Sequence, residues 1–198
     1  MSAIKERRER ERAQRHQLII TAARELAETE GWEAVTTRRL AERVEYSQPV
    51  LYSHFSGKDA IVRAVAIDGF AELAAHLRRA RLASPEPPQA LHAVSRAYLE
   101  FATERPALYQ AMFVMPTDVR FAHAETPPQL RAGFDEFVRC FRPDNPRREL
   151  SAEVVWSALH GIAALSDSGR IPRDFQEERV DLLVSRLADT PGGSEPGR

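Results

Sequence analysis

The segment from Thr36 to Lys58 limits this chain more than any other stretch. It holds two apolar patterns, each too short for an independent helix, separated by a few polar residues. Thr36 is a good N-cap, and Leu40, Ala41 and Val44 give the first helix an apolar face. Ser47 caps the second helix, and Pro49 falls in its first turn, where a missing N–H costs little. Val50, Leu51 and Phe55 supply a small inward face. Helices this short do not persist alone in water, so both must pack on something else. Two short helices crossing steeply over a tight turn make a helix-turn-helix, whose second helix enters the DNA major groove.

The residues left facing outward suit that task. Thr37, Ser47, Tyr52 and Ser53 carry hydroxyls, Gln48 an amide, His54 an imidazole, and Arg38 and Arg39 guanidinium groups. Nearly all can donate to phosphate oxygens, and the Gln48 amide can also read a base edge. The same residues also fit a solvated helical hairpin with no partner.

Resemblance favours DNA. Thr36-Thr37, Leu40-Ala41-Glu42, Val44, Ser47, Leu51-Tyr52, His54-Phe55 and Lys58 closely resemble the DNA-binding domain of the TetR family of bacterial transcriptional regulators. Gly31-Trp32, after an amphipathic helix, fits as well. The likeness runs from about residue 15 to 65, a third of the chain. One position departs from the family pattern: Glu45 stands where the family usually has Gly, which takes a positive φ at no steric cost. Either Glu45 accepts a strained conformation or the turn is built differently.

The chain has 198 residues, enough for one large domain or two small ones with a substantial core. Residues 1–58 hold 11 Lys/Arg against 9 Asp/Glu, and the remainder 17 against 20, the sign expected of a basic head on an acidic body. A single cysteine, Cys140, excludes an intrachain disulfide and fits a reducing compartment. No long apolar run or signal peptide is present, so a cytoplasmic protein without a membrane span is expected. Residues 1–15 carry six basic residues against three Glu. They read as a flexible basic arm, either a solvated, frayed helix extension or one that reaches DNA phosphates or the minor groove.

Beyond the arm, a helix is expected from about His16 to Glu30, with Leu18, Ile19, Ala22, Ala23, Leu26 and Ala27 in a stripe and Gly31 ending it. Ser56 and Asp59 form a capping-box pattern at the start of a connector helix running to about Leu82. The helix start and Lys58 together offer a phosphate seat. Proline-rich breaks at 84–88, 116, 127–128, 143–146 and 172 divide the rest into helices of about 89–104, 106–115, 128–141, 147–166 and 175–188. Residues 116–126 read as a loop or a short turn of helix. No strand pattern appears. The expected fold is all-α: a three-helix helix-turn-helix domain (1–58), joined by the connector helix to a helical ligand-binding and dimerisation domain (59–189), then a disordered tail (190–198).

Catalytic signatures are absent. None of the six histidines is paired at i, i+4, and there is no CxxC, no Gly-rich phosphate loop and no Gly-x-Ser-x-Gly. No metal, cofactor or catalytic residue is expected. Aromatic and Met residues concentrate between residues 98 and 160, either as plain core or as an apolar cavity with Phe121 among its neighbours and His160, Tyr98 and His123 as its polar groups. Trp156 to Leu165, followed by Gly169-Arg170, looks like the penultimate helix of one TetR subgroup. In that family the C-terminal body binds a small molecule and dimerises.

The expectation is a DNA-binding transcriptional repressor, released from a palindromic operator by a small, largely apolar ligand. The alternatives are a ligand-independent regulator or activator and, from another class, a helical enzyme or adaptor. Gln48, Pro49, Val50 and Ser53 are expected at base edges, with Thr37, Arg38, Ser47, Tyr52, His54 and Lys58 on phosphates. The ligand is expected among Tyr98, Phe101, Met112, Phe113, Phe134, Phe137, Trp156 and His160. A homodimer is expected through the last two helices, using Val154, Val155, Leu159, Ile162 and Leu165 with Leu182, Leu183 and Leu187, because such wide apolar arcs need cover.

Overall fold

The computed structural model describes residues 3–84, 86–116 and 128–187. Residues 117–126 of the expected loop region, with Phe121 and His123, Pro127 at the expected start of the next helix, and the expected tail lie outside the described residues. Among those described, all regular structure is helical: α1 (Ala3–Glu30), a 3-10 turn (Trp32–Ala34), α2 (Thr37–Arg43), α3 (Gln48–His54), α4 (Lys58–Leu82), α5 (Pro87–Glu104), α6 (Pro106–Phe113), α7 (Pro128–Val138), α8 (Arg148–Asp167) and α9 (Gln176–Leu187).

The chain divides into two compact units. The first takes residues 1–69 and 105–120, the second 70–104 and 121–198. The boundary therefore falls inside α4, at Gly69, rather than after Lys58. It also returns α6 to the first unit, although α6 follows α5 in the chain.

The first unit is built on α1. Ile19, Ile20, Ala22, Ala23, Leu26 and Ala27 are buried, and Trp32, Val35, Leu40, Leu51 and Phe55 close over them. The helix does not begin near His16 but continues unbroken from Ala3, so the basic arm is helical. Leu18, expected inside, is 45% exposed. It stands one position before Ile19, on the edge of the buried face.

Residues of α6 are anchored to this unit by polar bonds as well as packing. The Glu28 carboxylate accepts from the backbone N–H of Ala107 (3.1 Å) and Leu108 (3.0 Å), filling the role of a cap for α6. The Trp32 indole N–H donates to the Ala107 carbonyl at 2.8 Å. Helix α6 also lies close to α4: a Cβ on Gly69 would meet Met112 Sδ at 2.7 Å and Leu108 Cδ1 at 2.8 Å. A larger residue there would have to push the Met112 and Leu108 side chains aside.

In the second unit, Tyr98, Phe101, Val155 and Leu159 are fully inside, and Phe137 nearly so. Tyr98 meets Phe137 edge-on, with ring centroids 5.9 Å apart. Glu136 is buried with its carboxylate held by Arg81 (2.7 Å) and Arg139. A buried carboxylate with two cations is satisfied rather than strained. Cys140 is also buried; burial pushes its thiol up to about 12, so it is inert as a nucleophile.

Candidate nucleic-acid interface

The interface is assembled from α2, the turn after it, and α3. Thr36 is the N-cap of α2, and its hydroxyl accepts from the Arg39 N–H at 3.2 Å. Two ion pairs tie the short helix to α1: Arg39 to Glu30 at 2.8 Å and Arg43 to Glu25 at 3.0 Å. The Arg39 bond holds the Glu30 carboxyl below its usual range. Arg39 is thus committed within the domain, while Arg38 stays at the surface, paired with Glu42 at 3.0 Å.

Glu45 does take the strained conformation. Its φ is 57°, the left-handed region. The Tyr46 N–H donates to the Ala41 carbonyl at 2.9 Å, and the Glu45 N–H to Glu42 at 3.3 Å. This is the Schellman pattern, which closes a helix by satisfying its last carbonyls. The turn is the one glycine would make, formed here by a residue that resists it.

Helix α3 begins at Gln48. Ser47 is its N-cap residue by position, but its hydroxyl makes no capping bond, so the side chain is left outward. Leu51 and Phe55 are buried and Val50 is half-buried. Gln48, Pro49, Tyr52 and Ser53 are exposed. The Tyr52 and Thr37 hydroxyls stand 3.4 Å apart, linking α3 to α2. The Ser53 hydroxyl donates to the Val50 carbonyl at 2.6 Å. Helix α4 starts at Lys58, which puts Gly57, not Ser56, immediately before it. The Lys58 ammonium donates to the Trp32 carbonyl at 2.5 Å. Two of its three protons remain for another acceptor.

Sequence reasoning missed the support beneath α3. His16 of α1 stacks on Phe55 at 4.3 Å and sits 6.1 Å from the His54 ring. Arg12 Nη2 lies 3.5 Å from the Ser53 carbonyl. Burial first, then the charges of Arg12, His16 and Arg15, push the His54 pKa down. Its Nδ1 is buried without a hydrogen-bond partner among the described residues. The signal was the spacing of Arg12, Arg15 and His16 ahead of Ile19, which sets them on the side of α1 that faces the core.

The expected ligand residues divide between the units. Tyr98, Phe101, Phe134, Phe137, Trp156 and His160 belong to the second; Met112 and Phe113 belong to the first. Met112 is buried against Gly69, and Phe113 packs on Tyr109 at 4.8 Å. In the second unit, Phe134 meets Trp156 edge-on at 6.2 Å. His160 is half-buried, and burial lowers its pKa. Val155 and Leu159, expected at a dimer face, are instead inside the unit, with no exposed surface.

Among the described residues no cluster of His, Cys, Asp and Glu could hold a metal ion, and no helix is long and apolar enough to cross a membrane. Residues 19–65 match the family of bacterial regulatory proteins named tetR, and residues 91–190 match the tetracyclin repressor-like C-terminal domain. The chain is 29% identical over 103 residues to the HTH-type transcriptional regulator YobS of Bacillus subtilis, covering 52% of this chain and 53% of that protein. It therefore spans about half of YobS. It is 27% identical over 174 residues to the HTH-type transcriptional regulator Rv0681 of Mycobacterium tuberculosis, covering 86% of this chain and 78% of that one. The crystal structure of the transcriptional regulator FadR from Bacillus subtilis in complex with stearoyl-CoA superposes with a TM-score of 0.65 at 10% identity, covering 90% of this chain and 99% of that one. The likeness to FadR is one of fold.

Proposed function

Given that this chain belongs to the TetR family and is a DNA-binding regulator of transcription, not an enzyme, we propose that it is a cytoplasmic repressor. It acts as a homodimer on a palindromic operator and leaves it when a small, largely apolar ligand binds the second unit. The observation that carries the reading is the exposed face of α3, with Gln48, Pro49, Tyr52 and Ser53 outward while Leu51 and Phe55 anchor the helix from behind. Gln48, Pro49, Val50 and Ser53 meet base edges, and Thr37, Arg38, Ser47, Tyr52, His54 and Lys58 meet phosphates. Phosphate contacts fix register, and the Gln48 amide carries base discrimination.

The dimer forms on α8 and α9, where Leu150, Val154, Leu165 and Leu182 are 58%, 46%, 40% and 60% exposed. A two-fold through such a face gives a self-complementary four-helix interface and sets two heads on half-sites about 34–36 Å apart or more. The ligand takes the cluster of Tyr98, Phe101, Phe134, Phe137, Trp156 and His160. FadR supports an acyl chain as the first candidate, since that relative in fold holds stearoyl-CoA.

The test is operator affinity on the DNA upstream of the chain's own gene, with and without stearoyl-CoA and shorter acyl-CoAs. Family-type coupling weakens DNA binding roughly 5–150-fold, and DNA must weaken ligand binding by the same factor. Gln48→Ala should relax preference at one base position by about 1–3 kcal/mol. A ligand that binds but leaves operator affinity untouched sinks the switch, and an unchanged base preference in Gln48→Ala sinks the docking.

A further inference from the structure

One stripe runs the length of α1 at alternating spacings of three and four residues: Lys5, Arg8, Arg12, Arg15, Ile19, Ala22, Leu26. That spacing keeps side chains on one helical face. From Ile19 onward the stripe is buried under the helix-turn-helix. Before Ile19 it is exposed and entirely basic. No glutamate interrupts the line of four cations, although Glu9 and Glu11 flank it, one turn from Lys5 and Arg15; Glu6, Arg7 and Arg10 lie farther round the axis.

The carboxylates neutralise the stripe poorly. Lys5 is 3.9 Å from Glu9 and Arg15 is 3.7 Å from Glu11, both exposed pairs one turn apart. Such pairs contribute only a few tenths of a kcal/mol and open readily. Arg8 and Arg12 have no carboxylate partner among the described residues. Arg12 instead points Nη2 at the Ser53 carbonyl in α3, at 3.5 Å. The stripe therefore starts beside the DNA-reading helix and extends away from it along a continuous helix. Residues 3–15 span about 18 Å at 1.5 Å per residue.

We propose that the N-terminal half of α1 is a second DNA contact, in which Lys5, Arg8, Arg12 and Arg15 bind duplex phosphates beyond the bases met by α3. The contact is sequence-independent and rests on the DNA-binding role of α3. It adds affinity and salt dependence, not base preference. A pre-formed helix presents these cations without the ordering cost of a flexible arm.

The experiment compares full-length variants on two probes, the DNA upstream of the chain's own gene and a mixed-sequence duplex of about 40 base pairs. The readout is the slope of log affinity against log salt, which changes by about 0.9 for each phosphate contact. R8A/R12A should lower the slope by about 2 on both probes and weaken binding roughly tenfold or more. R7A/R10A removes the same charge from off the stripe and should leave the slope nearly unchanged. K5A/R8A, away from α3, should lower it as R8A/R12A does. Equal slopes in R8A/R12A and R7A/R10A overturn the proposal, because net charge alone then explains the result. A loss confined to R8A/R12A, absent in K5A/R8A, also overturns it, since the effect then belongs to the Arg12–Ser53 contact. Either outcome leaves DNA binding by α3 standing. Failure of the unmodified chain to bind both probes removes the stripe and the α3 reading together.

Discussion

The two compact units differ in what they leave outside. The first presents polar and basic groups around its reading helix, Gln48, Tyr52 and Ser53 on α3 with Arg8 and Arg12 on α1, besides the exposed apolar Ile4, Leu18 and Val114. The second leaves Leu150, Val154, Leu165, Phe175 and Leu182 at least 40% exposed on and beside α8 and α9. Exposed apolar side chains gathered on and beside two helices suit protein cover, whereas cations and hydroxyls around a short anchored helix suit a phosphate backbone. The same chain thus carries two outward chemistries, and the proposed partners, DNA for the first unit and a second copy for the second, follow that difference.

The largest effect should come from spoiling the apolar side. Val154→Asp with Leu182→Asp puts unpaired charges into the proposed α8–α9 dimer face, at about 3–5 kcal/mol for each buried charge. Sedimentation equilibrium should show a monomer at micromolar concentration, with helix content preserved. A persistent dimer means that this face is not the contact, and the contrast between the units loses its apolar half.

Next comes the assignment of α6 to the first unit. Glu28→Ala leaves the Ala107 and Leu108 N–H groups without their acceptor and should cost about 1–3 kcal/mol. Hydrogen exchange should quicken in α1, α2 and α6 while the amides of α8 and α9 keep their protection. Uniform loss across both units would contradict the division at Gly69 and Arg105.

The turns give a finer comparison. Glu45 and Gly169 both close a helix in the left-handed region, at φ 57° and 68°, and the Arg170 N–H donates to the Leu165 carbonyl at 2.9 Å as Tyr46 does to Ala41. Only Glu45 has a Cβ to accommodate. Glu45→Gly should therefore stabilise by up to about 1 kcal/mol, and Gly169→Ala should destabilise by a similar amount. Urea unfolding measures both, and equal signs would show that the turns are not equivalent.

The smallest effect is a pH dependence in the second unit. Burial holds His160 below its ordinary pKa, so the unfolded chain binds a proton more readily than the folded one. Stability should fall as pH drops below the ordinary histidine range, near 6.5, and level off below the native pKa. His160→Gln should flatten that decline. An unchanged pH profile in the variant would assign the decline to other groups.

Much of the first unit was legible because its determinants are local. Thr36 caps α2 as its residue type implies, Gly31 ends α1 with φ 81°, and Leu40, Leu51 and Phe55 are buried as their spacing requires. The helical breaks of the second unit were legible at Pro and Gly for the same reason. Boundaries slipped where a neighbour decided them. Ser47 and Ser56 read as caps, yet the Ser47 hydroxyl makes no capping bond and α4 starts one residue after Gly57. The helical state of the arm was hidden by its charge. Polar residues at helical spacing fit a frayed extension as well as an ordered helix, and a continuous helix downstream provides the nucleus that residues 3–15 lack.

By itself, the sequence determined the all-helical class of the described residues and the helix-turn-helix, because caps, glycines and apolar spacing act within a few positions of one another. Tertiary structure alone decided that α6 joins the first unit through Glu28 and Trp32, although about eighty residues separate these partners. It alone turned Arg39 toward Glu30, seated Lys58 on the Trp32 carbonyl, placed Met112 against Gly69, and put Val155 and Leu159 inside while Val154 and Leu165 stayed out. An apolar or charged side chain states what it needs, burial or a counter-charge. Which of several distant candidates supplies it is fixed only when the helices pack, since every one of those contacts depends on where the others lie.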